Sequence, residues 1–494
     1  MRAARSPHQL WPPKSGAILI HMPRLLTFFV LALLTACSSA PTYDVAILNG
    51  RVMDPESGLD AVRNLGIQGD TIAAITEDEI TGRQTLDAGG HVVTAGFIDL
   101  HRHGHSAENY RAQIHDGITS ALELEIGVED IDAFYAEREG KALVNYGASI
   151  SHPYARNLAM TGQNPGLEGD ALTRALAAGQ LDKLKEAITR GLDRGAAGIG
   201  FGLAYSPGAT PDELLEMFRL AARYQATGFV HIRTSRTDAS NVEEVVGYAR
   251  ETGAPLHIVH INSSGAKLVS DYLDVIQKAR DNGLDVTTEC YPYNRGSTFI
   301  QSHLFDDWET YPNEQFEQYI WVETGEHLTR ELFAKYRKQG GILIQPPSYS
   351  MEDVKTAIAS PLTIIASDGM WLDQGRAHPR TFGTFSRILG RYVREEKVLS
   401  LMDALAKMSL RPAQRLEQRV PLMKNKGRVK VGADADLVVF NPDAVLDNGT
   451  FENPAQAPEG IRHVVVNGVA VLREGKLADD RLPGRAIRAA LTEN

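Results

Sequence analysis

Cysteine is nearly absent from this chain: 494 residues contain only Cys37 and Cys290. Two cysteines make no disulfide framework, so the fold must rest on a buried core. Basic tracts are missing too. Lysine and arginine number 51 against 62 aspartates and glutamates, a net charge of −11. A chain with no basic stripe and no aromatic–basic interleaving lacks the footprint of a nucleic-acid binder. No glycine-rich phosphate loop accompanies the strand candidates, which argues against a nucleotide-binding open sheet. The apolar stretch from Leu25 to Leu34 is too short to span a bilayer comfortably. What remains is ordinary globular composition, 43% hydrophobic and 23% charged, enough for one large domain and a smaller one.

The N-terminus is the exception to that composition. Met22-Pro23-Arg24 precedes the apolar stretch, and Thr35-Ala36-Cys37-Ser38-Ser39 follows it. This is a charged region, a short apolar region and small residues at a cleavage point. Leu34-Thr35-Ala36-Cys37 resembles the lipobox of bacterial lipoproteins. The resemblance implies that residues 1–36 are a leader with Met22 as the true start, and that Cys37 is the first mature residue, lipidated on its thiol. Ser38 then favours the periplasmic face of the outer membrane. A plain secretory signal is the alternative. Residues 1–36 carry four basic side chains (Arg2, Arg5, Lys14 and Arg24) and no acidic one, so the mature chain is more acidic still. That suits a soluble body in the cell envelope whose only membrane contact is a lipid.

Both ends of the mature chain are rich in strand signals. Asn49-Gly50 and Asn467-Gly468 each lie between alternating apolar runs, a strong hairpin signal. We expect residues 43–94 and 420–480 to form one small β domain, a sandwich built from both termini. Residues 95–415 alternate strand and helix. Eight strand candidates occur, at 92–101, 117–125, 144–151, 196–204, 228–233, 255–262, 284–291 and 361–368. Thr210-Pro211-Asp212-Glu213 predicts a helix with an N-cap threonine and a proline in the first turn, running to about Thr227. Eight such repeats predict a (β/α)₈ TIM-like barrel; an open doubly wound sheet is the runner-up. The aromatic span 300–340 reads either as a lid or as an extra packed layer.

Histidines and acids sit where the strand candidates end. His101 and His103 close the first, with alternate spacing that puts both imidazoles on one face. His231 closes the fifth, His260 the sixth and Asp368 the eighth. In a barrel these ends converge on one site, and the set is suited to a divalent first-row cation such as Zn²⁺, one ion or two. His257 lies lower on its strand and is expected to be a supporting or core residue. Such an ion polarises an amide carbonyl and makes a bound water acidic. Asp368 is then the expected proton carrier. Spare arginines at strand ends, Arg102, Arg233, Arg295 and Arg380, are candidates for binding a substrate carboxylate.

This set resembles the amidohydrolase superfamily, and nearly the whole mature chain shares the likeness. Within it the chain is most similar to the N-acyl-D-amino-acid deacylases (D-aminoacylases). The segments that carry this are Gly202-Leu203-Ala204-Tyr205-Ser206-Pro207-Gly208, His231-Ile232-Arg233, Tyr291-Pro292-Tyr293, Ser367-Asp368-Gly369 and His378-Pro379-Arg380-Thr381-Phe382-Gly383. The resemblance implies a metal-dependent amidase that releases a carboxylate and a free D-amino acid from a small N-acyl amino acid. It places Tyr205, Tyr291 and Ser297 near the substrate. Three departures stand out. The superfamily's strand-four lysine is missing, and Ile126 occupies the position of the deacylases' strand-two cysteine. Glu125 is the expected bridging ligand in their place, with Glu123 the alternative, since the two share a face of the strand. Asn262 stands where many relatives carry a lysine for the substrate carboxylate. A dipeptidase, a cyclic-amide hydrolase and a catalytically dead lipid-anchored binding protein are the competing readings.

Overall fold

The structure, a computed structural model, describes residues 42–235, 237–478 and 481–492. The leader and Cys37 lie outside the described residues. No helix among those described is long and apolar enough to cross a membrane.

Eight parallel strands form the heart of the molecule. In chain order they are strand one (Phe97–Asp99), two (Ile118–Val128), three (Asn145–Ser151), four (Gly198–Gly202), five (Thr227–His231), six (Leu256–Ile258), seven (Val286–Cys290) and eight (Thr363–Ile365). They pair consecutively from one to eight. The seam between eight and one is closed by single contacts. Ser367 N–H donates to Asp99 Oδ1 at 2.9 Å, and His103 N–H donates to the Gly369 carbonyl at 2.8 Å. All eight expected strands are present, several of them shorter than expected. The chain leaves the ladder early where ligand-type residues begin. His101, His103, His260 and Asp368 all follow the last ladder residue of their strands, and His260 and Asp368 have φ of 34° and 51°. Positive φ on a residue with a side chain costs of order 1–3 kcal/mol and concentrates at functional sites.

Local sequence explains the helices that wrap the barrel. Thr210 caps the helix Pro211–Arg223, its hydroxyl accepting from Glu213 N–H. This helix is shorter than expected, because Gln225 turns the chain at φ 50° and Thr227 already belongs to strand five. Its buried face carries Leu214, Met217, Phe218 and Ala221, at the spacing of one helical stripe. Strand four is glycine-rich for a packing reason. A Cβ on Gly200 would stand 2.5 Å from the Glu125 carbonyl oxygen, so only glycine lets strand two pass this close at the point where Glu125 sits.

The two chain ends meet in a nine-stranded mixed sheet. Val92–Ala95 pairs antiparallel with Leu437–Phe440, which ties the N-terminal strands to the C-terminal ones. Both halves feed one apolar cluster that includes Ile47, Leu65, Val93, Leu437 and Val465. Asn467-Gly468 forms the expected hairpin turn, with φ of 46° and 79°. Asn49-Gly50 does not. The strand Thr42–Asp54 runs straight through it, with an irregularity between Ile47 and Gly50, and the turn comes at residues 55–58. Asn49 takes the positive φ (61°) that the motif favours, but uses it for a bulge.

Between strands seven and eight the chain builds a small antiparallel sheet from Ser297–Phe299, Ile320–Trp321 and Ile342–Ile344. It has its own aromatic core, in which Trp321 stacks on Tyr336 with ring centroids 4.2 Å apart. The span expected as a lid or a packed layer is thus a folded unit with a core, and part of it, from Phe299 to Gln318, contributes to the wall of the main cavity.

Candidate metal centre

The C-terminal ends of the strands open into a cavity of about 1410 Å³. His103, Glu125, His231, His260 and Asp368 lie on its wall. Three donor atoms form a near-equilateral triangle. His101 Nε2 and His103 Nε2 are 3.1 Å apart, and Glu125 Oε2 lies 3.3 Å from the first and 3.2 Å from the second. Ligands about 2.0–2.1 Å from a tetrahedral zinc ion are roughly 3.3 Å from one another, so this triangle has the right edge. The other oxygen of the same carboxylate belongs to a second triangle. Glu125 Oε1 is 2.5 Å from His231 Nδ1 and 3.7 Å from His260 Nε2, and the two imidazole nitrogens are 3.3 Å apart. Asp368 Oδ1 sits 3.4 Å from His101 Nε2 and 3.6 Å from His103 Nε2. Four imidazoles and two carboxylates converge with almost no competing hydrogen-bond donor. That donor set fits one or two divalent cations bridged by Glu125.

Electrostatics agree with this fit. Burial opposes charging of His101, but Asp368, Glu289 and Glu125 outweigh it and raise the imidazole to about 10. Around His101 the acidic groups thus outweigh burial, a local field that favours a cation. Burial also works against the Glu125 carboxylate, yet the surrounding histidines, His101 foremost, hold it well below the usual carboxylate range.

A further ring of contacts orients these groups, and much of it escaped the sequence reading. Glu289 on strand seven accepts from His101 Nδ1 at 2.6 Å, and its other oxygen is 3.0 Å from His257 Nε2. His257 also meets Thr287 Oγ1 at 2.7 Å, so it supports Glu289 and stays out of the cluster, as its low position on the strand suggested. Glu123 holds His103 through Nδ1 at 2.9 Å and belongs to neither triangle. Trp371, 37% exposed, stacks on the His103 ring at 5.3 Å. The signal for Glu289 was an acid near the end of the β-branched strand candidate Val286-Thr287-Thr288-Glu289-Cys290. Trp371 lies in a loop and had no comparable signal.

Tyr205 lines the cavity, its ring edge-on to His231 at 5.0 Å and its hydroxyl 2.9 Å from Thr298 Oγ1. Tyr291 lines it too, beneath the Arg380 guanidinium at 4.5 Å. Ser297 is on the wall, but its hydroxyl donates to the Leu343 carbonyl at 3.0 Å. Arg380 is wholly buried behind Asp368, with Nη2 2.8 Å from Asp368 Oδ1. Arg102 is buried as well, donating to the Thr381 carbonyl and Ser367 Oγ. Arg295 is not brought to the cavity. Its guanidinium lies over the Phe451 ring and donates to the Gln318 carbonyl. The Arg295 carbonyl accepts from His378 Nε2 at 3.2 Å, which ties the backbone there to the loop after strand eight. Asn262 is buried and spends its amide on the carbonyls of Tyr291 and Tyr293, which fixes that turn.

A sequence profile described as the amidohydrolase family matches residues 84–472. The chain belongs to that family. An N-acyl-D-glutamate deacylase of Alcaligenes xylosoxydans xylosoxydans is 32% identical over 90% of this chain and 96% of its own length. A D-aminoacylase of the same organism is 28% identical over 88% and 96%. Among solved structures, the N-acyl-D-glutamate deacylase of Bordetella bronchiseptica superposes with a TM-score of 0.77 at 27% identity, covering 91% of this chain and all of that one. That crystal contains zinc and a phosphonate that mimics the tetrahedral intermediate. As a member of the amidohydrolase family, this chain carries the family's barrel and small β domain, as its sequence led us to expect.

Proposed function

We propose that this amidohydrolase is a zinc-dependent amidase that hydrolyses N-acyl-D-amino acids to a carboxylate and a free D-amino acid. The observation that carries the reading is the Glu125 carboxylate, with one oxygen in each of two donor triangles. In this reading His101, His103 and Glu125 would hold one ion, and Glu125, His231 and His260 would hold a second. The deacylase relatives supply the substrate class. A bound divalent ion polarises the scissile carbonyl and acidifies water.

The chain's own residues do the rest. Asp368 Oδ1 takes a proton from the attacking water and returns it to the leaving nitrogen. Arg380, 2.8 Å away, keeps that carboxylate in place and in its ionised form; burial opposes this, but the guanidinium and His101 hold Asp368 below its ordinary range. The Tyr205 hydroxyl is a neutral donor for the developing oxyanion, since burial pushes its ionisation far above neutral pH. Ser297 and Tyr291 shape the wall on which the substrate rests. Strand four, Gly198-Ile199-Gly200-Phe201-Gly202, offers no lysine, and Glu125 already occupies the space between the triangles. This favours the deacylase reading over the cyclic-amide one.

We also propose the envelope location, with lipid on Cys37; what supports it is the leader sequence alone. The enzymatic proposal is tested by incubating zinc-loaded protein with N-acetyl-D- and N-acetyl-L-amino acids. Release of free D-amino acid, abolished by a chelator, is the expected result. No release from any member of such a panel overturns it.

A further inference from the structure

A substrate that carries a carboxylate needs a cation on the cavity wall, and most cations near this cavity are committed. Arg380 faces Asp368 and is not on the wall, and Arg295 points elsewhere. Arg233 lines the cavity, but its three donor nitrogens go to Glu244 at 3.3 Å, the Pro207 carbonyl at 3.2 Å and the Ala209 carbonyl at 2.6 Å. Lys267 also lines the cavity, and among the described residues it has no ion pair and no hydrogen bond from its ammonium group. The acids that the inserted unit adds to the same wall do not claim it. Asp306 is held by Arg337 and His303, and Asp307 accepts from the Tyr311 hydroxyl.

The backbone presents Lys267 to the cavity. The short helix Ile261–Gly265 starts at His260, and Ser263 through Leu268 all lie along the wall. Ala266 turns the chain with φ 47° and ψ −124°, a conformation a residue with a side chain adopts only when its surroundings impose it. Lys267 lines the cavity yet is exposed, whereas His260 on the same wall is buried, which puts Lys267 on the outer, open part of that wall. A carboxylate on the carbon next to the scissile nitrogen lies deep, near those ligands. A carboxylate at the end of a side chain reaches outward.

We propose that Lys267 selects acidic N-acyl-D-amino acids by pairing with the side-chain carboxylate of the substrate at the cavity mouth. This rests on the deacylase reading above and adds a specificity residue to it.

The test compares N-acetyl-D-glutamate with N-acetyl-D-glutamine, which has the same shape without the charge, on zinc-loaded wild type, Lys267→Gln and Lys267→Arg. Zinc content and circular dichroism establish that each variant is folded and loaded. Wild type should favour the glutamate substrate. In Lys267→Gln the ratio of the two kcat/KM values should fall about five- to tenfold, through KM for the glutamate substrate with kcat within twofold. Lys267→Arg should restore most of the ratio, and the loss should shrink at high salt, as for a partly exposed ion pair. An unchanged ratio in Lys267→Gln, with both substrates turned over, overturns this proposal alone. Failure of wild type to release D-amino acid from either substrate overturns the deacylase reading, and this proposal with it.

Discussion

Replacing Glu125 with glutamine keeps the shape of the side chain and removes the one negative charge shared by both donor triangles. Glu125 is 3% exposed, and histidines approach both of its oxygens within 3.7 Å. Removing one partner of a buried charge pair costs about 3–5 kcal/mol. At 1.36 kcal/mol per factor of ten, zinc affinity should fall by roughly 10²- to 10⁴-fold. Glu123 offers an internal control. It touches His103 only through the ring nitrogen turned away from the cluster, and such supporting contacts contribute roughly 10- to 100-fold in metal affinity. Zinc bound after dialysis, measured by mass spectrometry, and a competition titration against a chromogenic chelator would rank wild type, Glu123→Gln and Glu125→Gln in falling order. Zinc affinity of Glu125→Gln within threefold of wild type, or a larger loss in Glu123→Gln, would refute the bridging assignment.

Asp368→Asn should retain zinc and lose turnover by about 10²- to 10⁴-fold; near-normal turnover in a zinc-replete variant would remove Asp368 from proton transfer. Glu289→Gln weakens the contacts to His101 and His257, and should lower zinc affinity by roughly 10- to 100-fold while the fold survives, as read by chelator competition and thermal melting. Equal zinc affinity would reduce Glu289 to a core residue. Cys37→Ala should abolish labelling by a fatty-acid probe in cells and release the protein from the membrane fraction. Persistent labelling would put the lipid elsewhere.

The parts of this molecule that repeat were the most legible. Apolar strand candidates separated by helices led to the barrel, and the position of His101, His103, His231, His260 and Asp368 at strand ends led to one cluster, because a barrel brings all those ends together. The choice between Glu123 and Glu125 was harder. Both point to the same face, and the ladder between strands two and three is irregular from Glu123 to Val128, which separates their roles in a way no spacing rule contains. Glu289 carried a weak signal. Trp371 carried none, because its contact with His103 depends on how a loop after strand eight folds back. Asn49-Gly50 misled for a related reason. The dipeptide reports a local preference for positive φ, and only the neighbouring strand decides whether that preference makes a turn or a bulge. Arg295 and Arg380 show the same limit for side chains: proximity in sequence to a strand end does not fix which way a guanidinium leaves.

Metal-dependent reactivation decides whether this barrel is a metal-dependent D-amidase. Protein stripped with a chelator should show no hydrolysis of an N-acetyl-D-amino acid, and titration with zinc should restore it in step with occupancy of the Glu125 cluster. N-acetyl-L-amino acids should remain uncleaved. Activity that survives full removal of metal, or zinc binding at this cluster with no D-amidase activity on any acyl amino acid, would contradict the account.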